Sequence, residues 1–157
     1  MIASRLTRLI ETHSDELAST LIQKWLSSEA LANLGKVPPA ELRQRVYEVY
    51  HNLSEWLLYR TEQDIERRYM EIGVRRATQN VPLSVVLGAL AAVKQHLWEF
   101  VRREGLLGDH VELHQALELL QLVDHFFDRA TFHTARGYEK ETKRAALVRE
   151  AVLTCAG

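Results

Sequence analysis

The sequence predicts an all-α protein, a single helical bundle of five to six helices. Three observations carry this. Apolar residues recur at helical spacing through most of the 157 residues. No alternating Val/Ile/Thr run stands between turn residues, so no strand is predicted. Only three prolines and seven glycines occur, gathered at a few points in the manner of helix punctuation. A chain of this length buries roughly 68–70% of the surface it exposes when unfolded, so it needs no metal or disulfide to fold. Its one cysteine, Cys155, excludes an intrachain disulfide.

The first helix is expected over about residues 4–28. Leu6, Ile10, His13, Leu17, Leu21 and Trp25 form its stripe, and Ser14 followed by Glu16 and Leu17 marks a second start, so a kink or break is expected near His13. Residues 33–39 (NLGKVPP) read as a linker, and Pro38 and Pro39 open the second helix, since proline suits a first turn. Its stripe is Leu42, Val46, Val49, Leu53, Trp56 and Leu57. A third helix over about residues 62–79 has a thin apolar stripe, Ile65, Tyr69, Ile72 and Ala77. It is otherwise charged, with expected i, i+4 pairs at Asp64–Arg68 and Glu71–Arg75.

Asn80-Val81-Pro82 stops that helix, and a fourth runs to about residue 104 with Ser84 as the expected N-cap. It is apolar over much of its circumference and carries Gly88, Ala89, Ala91 and Ala92, which predicts a central helix that a neighbour approaches closely. After a break at residues 105–109, with Asp109 as the expected N-cap, a fifth helix runs from residue 110 toward 136. Its expected stripe is Val111, Leu113, Leu117, Leu120, Val123, Phe127, Ala130 and Phe132. Gly137-Tyr138 reads as a weak interruption. Residues 1–138 are therefore assigned to the bundle. Residues 139–157 are assigned to a C-terminal helical extension with a sparse seam at Ala145, Val148 and Val152, either part of the same domain or a tail that contacts a partner.

Charge narrows the function. Twenty Lys+Arg against 21 Asp+Glu give a formal net charge of -1, which argues against a nucleic-acid binder. The N-terminus is interrupted by Arg5, Arg8 and Glu11, so no signal-peptide core is read there. The longest apolar run, residues 85–93, is far shorter than the roughly 20 residues of a membrane span. A cytoplasmic protein is expected.

No catalytic signature appears. His110 and His114 share a helix face, but Val111 stands where a zinc-helix motif places Glu, and no third ligand follows at a suitable spacing. Glu48-Val49-Tyr50-His51 has the di-iron spacing without a second copy. No Gly-x-Ser-x-Gly elbow, phosphate loop or phosphotransfer histidine motif occurs. No catalytic residue, metal ligand or cofactor is therefore assigned. One polar stripe remains: His125, Arg129 and His133, spaced i, i+4, i+8. It reads as the lining of a ligand pocket, as a contact across a subunit interface, or as a solvated helix face. A small-ligand or haem-binding sensor is the alternative function that such a stripe leaves open.

The stretch Ile72-Gly73-Val74-Arg75-Arg76-Ala77-Thr78-Gln79-Asn80-Val81-Pro82-Leu83, with Val86, Ala89, Leu90 and Leu97-Trp98 beyond it, resembles a known pattern. It is similar to the N-terminal sensory domain of RsbT co-antagonist proteins of the RsbR/RsbRD type, a module also found fused to bacterial sensor histidine kinases. The helices with Trp25 and Trp56, and the tail from Phe127 to Glu139, extend the resemblance over about residues 6–139. Arg75, Arg76, Pro82, Leu83 and Trp98 carry it, with structural roles implied. Asn80 stands where family members often have Gly; asparagine tolerates left-handed backbone angles, so the turn is expected to survive. The resemblance implies a non-enzymatic signal-input or regulatory domain, commonly dimeric, acting through protein partners. The family's output domain has no counterpart in these residues, so an input domain is expected by itself.

Overall fold

The computed structural model describes residues 2–104 and 110–157. Among these the architecture is all-α. In order come α1 (Ile2–Thr12), α2 (Ser14–Leu26), a 3-10 segment (Glu29–Lys36), α3 (Pro39–His51), a π turn (Glu55–Tyr59), α4 (Glu62–Thr78), α5 (Leu83–Arg103) and α6 (His110–Cys155). No described helix is long and apolar enough to cross a membrane.

The break at His13 is real. The residue leaves helical geometry (φ -99°, ψ 13°), so one expected helix becomes α1 and α2. Their apolar residues Leu6, Ile10, Leu17, Leu21 and Trp25 all enter the core. The expected linker is more ordered than its composition suggests, because residues 29–36 wind into a 3-10 helix that buries Leu34. Pro38 caps α3 and Pro39 occupies its first turn, where the missing N–H costs nothing. Beyond α3 the backbone widens into a π turn, closed by the Arg60 N–H donating to Glu55 O at 2.8 Å. Leu53 is buried before it, and Trp56 and Leu57 are half-buried within it.

α4 begins with a capping box: the Thr61 hydroxyl accepts from the Asp64 N–H, and the Asp64 carboxylate accepts from the Thr61 N–H. It ends in a turn where Asn80 takes φ 58°. The Lys36 ammonium and the Tyr138 hydroxyl fasten that turn, donating to Asn80 O at 2.9 Å and Val81 O at 2.6 Å. α5 is capped by Pro82 with no side-chain hydrogen bond, so Ser84 lies inside the helix rather than at its start. Its core face is Val86, Val93, His96, Leu97, Phe100 and Val101, and Tyr50 donates its hydroxyl to Val93 O at 2.6 Å. Burial pushes the Tyr50 hydroxyl's pKa well up.

Two expectations about helix contacts change. Gly88 is not a point of close approach: a Cβ there would meet only the tip of Leu31, at 3.9 Å. The close approach is between α4 and α6, at Gly73 and Gly137. Gly137 accordingly interrupts nothing, and α6 runs unbroken for 46 residues, about 69 Å at 1.5 Å per residue. The two helices lie side by side and run in the same direction: Glu62 meets Arg129 and His133, Glu66 meets Arg136, and Met70 meets Gly137.

The face that α6 presents to the core also differs from the expected stripe. Ala116, Leu119, Val123, Phe126, Phe127, Ala130, His133 and Thr134 are buried, whereas Leu113, Leu117, Leu120 and Phe132 are exposed. The expected N-cap at Asp109 and the side chain of Val111 lie outside the described residues. On α4 the expected pairs Asp64–Arg68 and Glu71–Arg75 are replaced. Asp64 holds Arg67 and Thr61, while Arg68 and Arg75 reach across to Glu48 and Glu41 on α3.

Candidate functional site

The polar stripe of α6 is divided by its own helix. His133 is buried, Arg129 is half-buried and His125 is exposed. A spacing of four residues advances the azimuth beyond a full turn, so three such residues drift around the helix and only two meet α4. Those two converge on one carboxylate. Arg129 donates its Nε–H to Glu62 Oε1 at 2.6 Å, and His133 donates from Nε2 to the same oxygen at 2.9 Å. These hydrogen bonds, His133 first and Arg129 second, hold the Glu62 carboxyl below its ordinary pKa. Nδ1 of His133 is buried and has no hydrogen-bond partner among the described residues. The Arg129 guanidinium also lies over Phe132, 4.9 Å from the ring centroid, with Arg136 on the same ring at 5.6 Å.

Glu62 was not singled out in the sequence. The only local sign of it is its place in the first turn after Thr61, where acidic residues favour a helix start.

The residues that carry the family resemblance form a second cluster, around the turn between α4 and α5. Glu41, in the first turn of α3, accepts from Arg75 Nη2 at 3.0 Å and from Arg76 Nη1 at 2.9 Å. Arg76 is 4% exposed and also donates to Gln79 Oε1 at 2.8 Å. The Arg75 hydrogen bond, followed by those of Arg76 and their charges, lowers the Glu41 pKa to about 2 against the cost of its burial. Pro82 caps α5, Leu83 begins it half-buried, and Trp98 packs half-buried against the core.

The isolated histidine motifs find other surroundings. Glu48 pairs with Arg68, while His51 stacks on Tyr47 at 4.9 Å. His114 lies 3.6 Å from Glu118. Among the described residues no group of three or more His, Cys, Asp and Glu is placed to hold a metal ion.

Two further features stand out. From Thr142 onward every residue of α6 is exposed except Ala145, which is half-buried, and Val148, Val152 and Leu153 stand in that stretch. A cavity of about 80 Å³ lies among α2, the 3-10 segment, α3, the π turn, α4 and α5, with Trp25, Val46, Trp56 and Val93 on its walls. None of His125, Arg129 and His133 lines it.

No curated protein and no solved structure matches the chain. A family model does, over residues 7–153, a span that takes in all the helices from most of α1 to nearly the end of α6. That coverage includes the Glu41–Arg75–Arg76 cluster, the Asn80–Pro82 turn and the α4–α6 crossing, and the chain belongs to the family of the RsbT co-antagonist protein rsbRD N-terminal domain, a regulatory signalling domain.

Proposed function

We propose that this chain is a non-enzymatic signal-input domain of bacterial signal transduction, cytoplasmic, acting through protein–protein contacts and self-associating as a homodimer. The observation that carries the reading is the end of α6. Beyond Glu141, the last buried residue, Ala145, Val148, Val152 and Cys155 follow one another at spacings of three, four and three. That is the spacing of a coiled-coil seam, in which apolar positions from two helices interlock. Val148 and Val152 are 50% and 62% exposed, and nothing in the bundle covers them. An identical helix laid alongside would bury the seam of both.

The arrangement of the stripe supports a structural role for Arg129 and His133. Glu62 engages both, tying the start of α4 to α6, and it occupies His133 Nε2, a nitrogen that a haem iron would need.

The test is the mass in solution of the full chain and of V148D/V152D. The wild type is expected to scatter light as a dimer and the variant as a monomer, with helical content unchanged. A monomeric wild type, or a variant that stays dimeric, refutes the seam.

A further inference from the structure

The cavity beneath the π turn has an uneven charge balance. Three arginines, Arg45, Arg68 and Arg76, are among the residues around it, with one acidic residue, Glu48. The three cations are not equivalent. Arg76 is satisfied by Glu41 and Gln79. Arg68 is held by Glu48. Arg45 reaches only the Glu48 oxygen that Arg68 already uses, at 3.6 Å, which is beyond hydrogen-bond range. Its side chain is 29% exposed. A group with five donors in a fixed fork is thus half-buried, with a shared ion-pair partner but no hydrogen-bonded acceptor among the described residues. Burial, and secondly the neighbouring Arg68 charge, press the Arg45 pKa downward, so an added anion relieves a cost already present in the fold.

The rest of the lining is apolar: Leu42, Val46, Val49, Ile72, Val86 and Val93 are among its walls. Trp25, also on the wall, has a buried Nε1–H without an acceptor among the described residues. A surface depression adjoins the cavity and shares Glu48, Trp56 and Arg68 with it. Those three side chains therefore stand between cavity and surface. Trp56 belongs to the π turn, and such turns recur at functional sites because they shift side chains out of helical register. The volume sets the scale: about 80 Å³ is well below the roughly 300–1,000 Å³ of sites that take drug-sized ligands.

We propose that this cavity binds a small monocarboxylate with a compact apolar body, its carboxylate on Arg45 and its body among Val46, Val49, Trp56 and Val93. The guanidinium fork donates bidentately to a carboxylate, and the apolar walls supply the remaining affinity by removing the body from water. A bare inorganic anion gains nothing from those walls, and a neutral apolar molecule leaves Arg45 unsatisfied. The site does not rest on self-association, and its test is read from binding alone.

Benzoate and cyclohexanecarboxylate are titrated into the full chain, with tryptophan fluorescence and calorimetry as readouts, since Trp25 and Trp56 both line the cavity. Saturable binding is expected, at least tenfold tighter than that of benzyl alcohol or cyclohexylmethanol. In Arg45→Gln the carboxylate affinity is expected to fall at least tenfold while circular dichroism and the thermal midpoint stay as in the wild type. Ala89→Leu, which fills the cavity from α5, is expected to reduce binding of every probe. Absence of saturable binding of both carboxylates to the wild type overturns the proposal. So does equal binding of the alcohols, or undiminished carboxylate binding in Arg45→Gln.

Discussion

Gly73 on α4 and Gly137 on α6 open the same helix crossing from its two sides. A Cβ on Gly73 would lie 2.1 Å from Thr134 O, and one on Gly137 would lie 2.2 Å from Met70 O. Both obstacles are backbone atoms, which no rotamer change moves aside. The absence of two side chains is what allows α6 to pass α4 in backbone contact.

Gly73→Ala and Gly137→Ala test that crossing, and the sign of the effect is diagnostic. Helix propensity alone favours alanine by about 1 kcal/mol. Overpacking against backbone opposes it, and each variant is expected to lose about 2–3 kcal/mol by urea unfolding. The double variant should lose less than the sum, because one separation of the helices relieves both clashes. A stabilised single variant sinks this account.

Arg75 and Arg76 are neighbours in sequence with unequal weight. Arg76→Ala removes a buried guanidinium that Glu41 and Gln79 both engage, leaving Arg75 as the one guanidinium on Glu41, and about 2–3 kcal/mol of stability is expected to go. Arg75 is 55% exposed, and Arg75→Ala is expected to cost about 1 kcal/mol or less. Equal losses in denaturant titration would contradict the division.

Glu41 makes the same cluster acid-sensitive. Its pKa is about 2 in the folded protein against 4.5 for the ordinary carboxyl. A depressed carboxylate contributes its stability in full above the unfolded value and loses it as pH falls through the folded one. Stability is therefore expected to drop between pH 4.5 and 2, by about 2–3 kcal/mol from this group. Glu41→Gln should be less stable at pH 7 and flatter across that window. A parallel pH profile in the variant would show that other groups govern the acid limb.

Asn80 holds φ 58°, where a β-branched residue is strained. Asn80→Val is expected to lose about 1–2 kcal/mol, and Asn80→Gly to match or exceed the wild type in thermal midpoint. A tolerated valine would mean that the turn rearranges, which the Tyr138–Val81 and Lys36–Asn80 hydrogen bonds oppose.

Residues 142–157 contribute almost no buried surface, so removing them is expected to leave the thermal midpoint of a dilute sample within a few degrees of the full chain. Self-association should weaken in the same variant, as seen by light scattering. Unchanged mass in the truncated chain would move the proposed dimer contact elsewhere, with Leu113, Leu117 and Leu120 as the other exposed apolar row.

Local signals read the helices well. The break at His13, the prolines opening α3, the stop of α4 before Pro82 and the left-handed Asn80 all follow from backbone preferences that a residue carries wherever it stands. The family was legible for the same reason, since the residues from Ile72 to Leu83 describe a helix end and a turn, and the family model spans them. Which residue meets which was much less legible. Glu62 gathers Arg129 and His133 from 67 and 71 positions away, and Glu41 gathers Arg75 and Arg76 from 34 and 35.

The sequence by itself determined that this chain is helical, where most of its helices start and stop, and the family to which it belongs. Only the tertiary structure decided which face of α6 is buried, that Gly137 lies inside a helix, and that Arg45 shares Glu48 with Arg68 beside a cavity. Helical periodicity marks an apolar face, but a helix 46 residues long meets different neighbours along its length and outruns the bundle at its end. Whether Leu117 or Leu119 is covered, and whether His125 or His133 finds a carboxylate, depends on where α4 and α5 lie. That placement is set by a crossing at which two glycines remove the steric barrier between backbones.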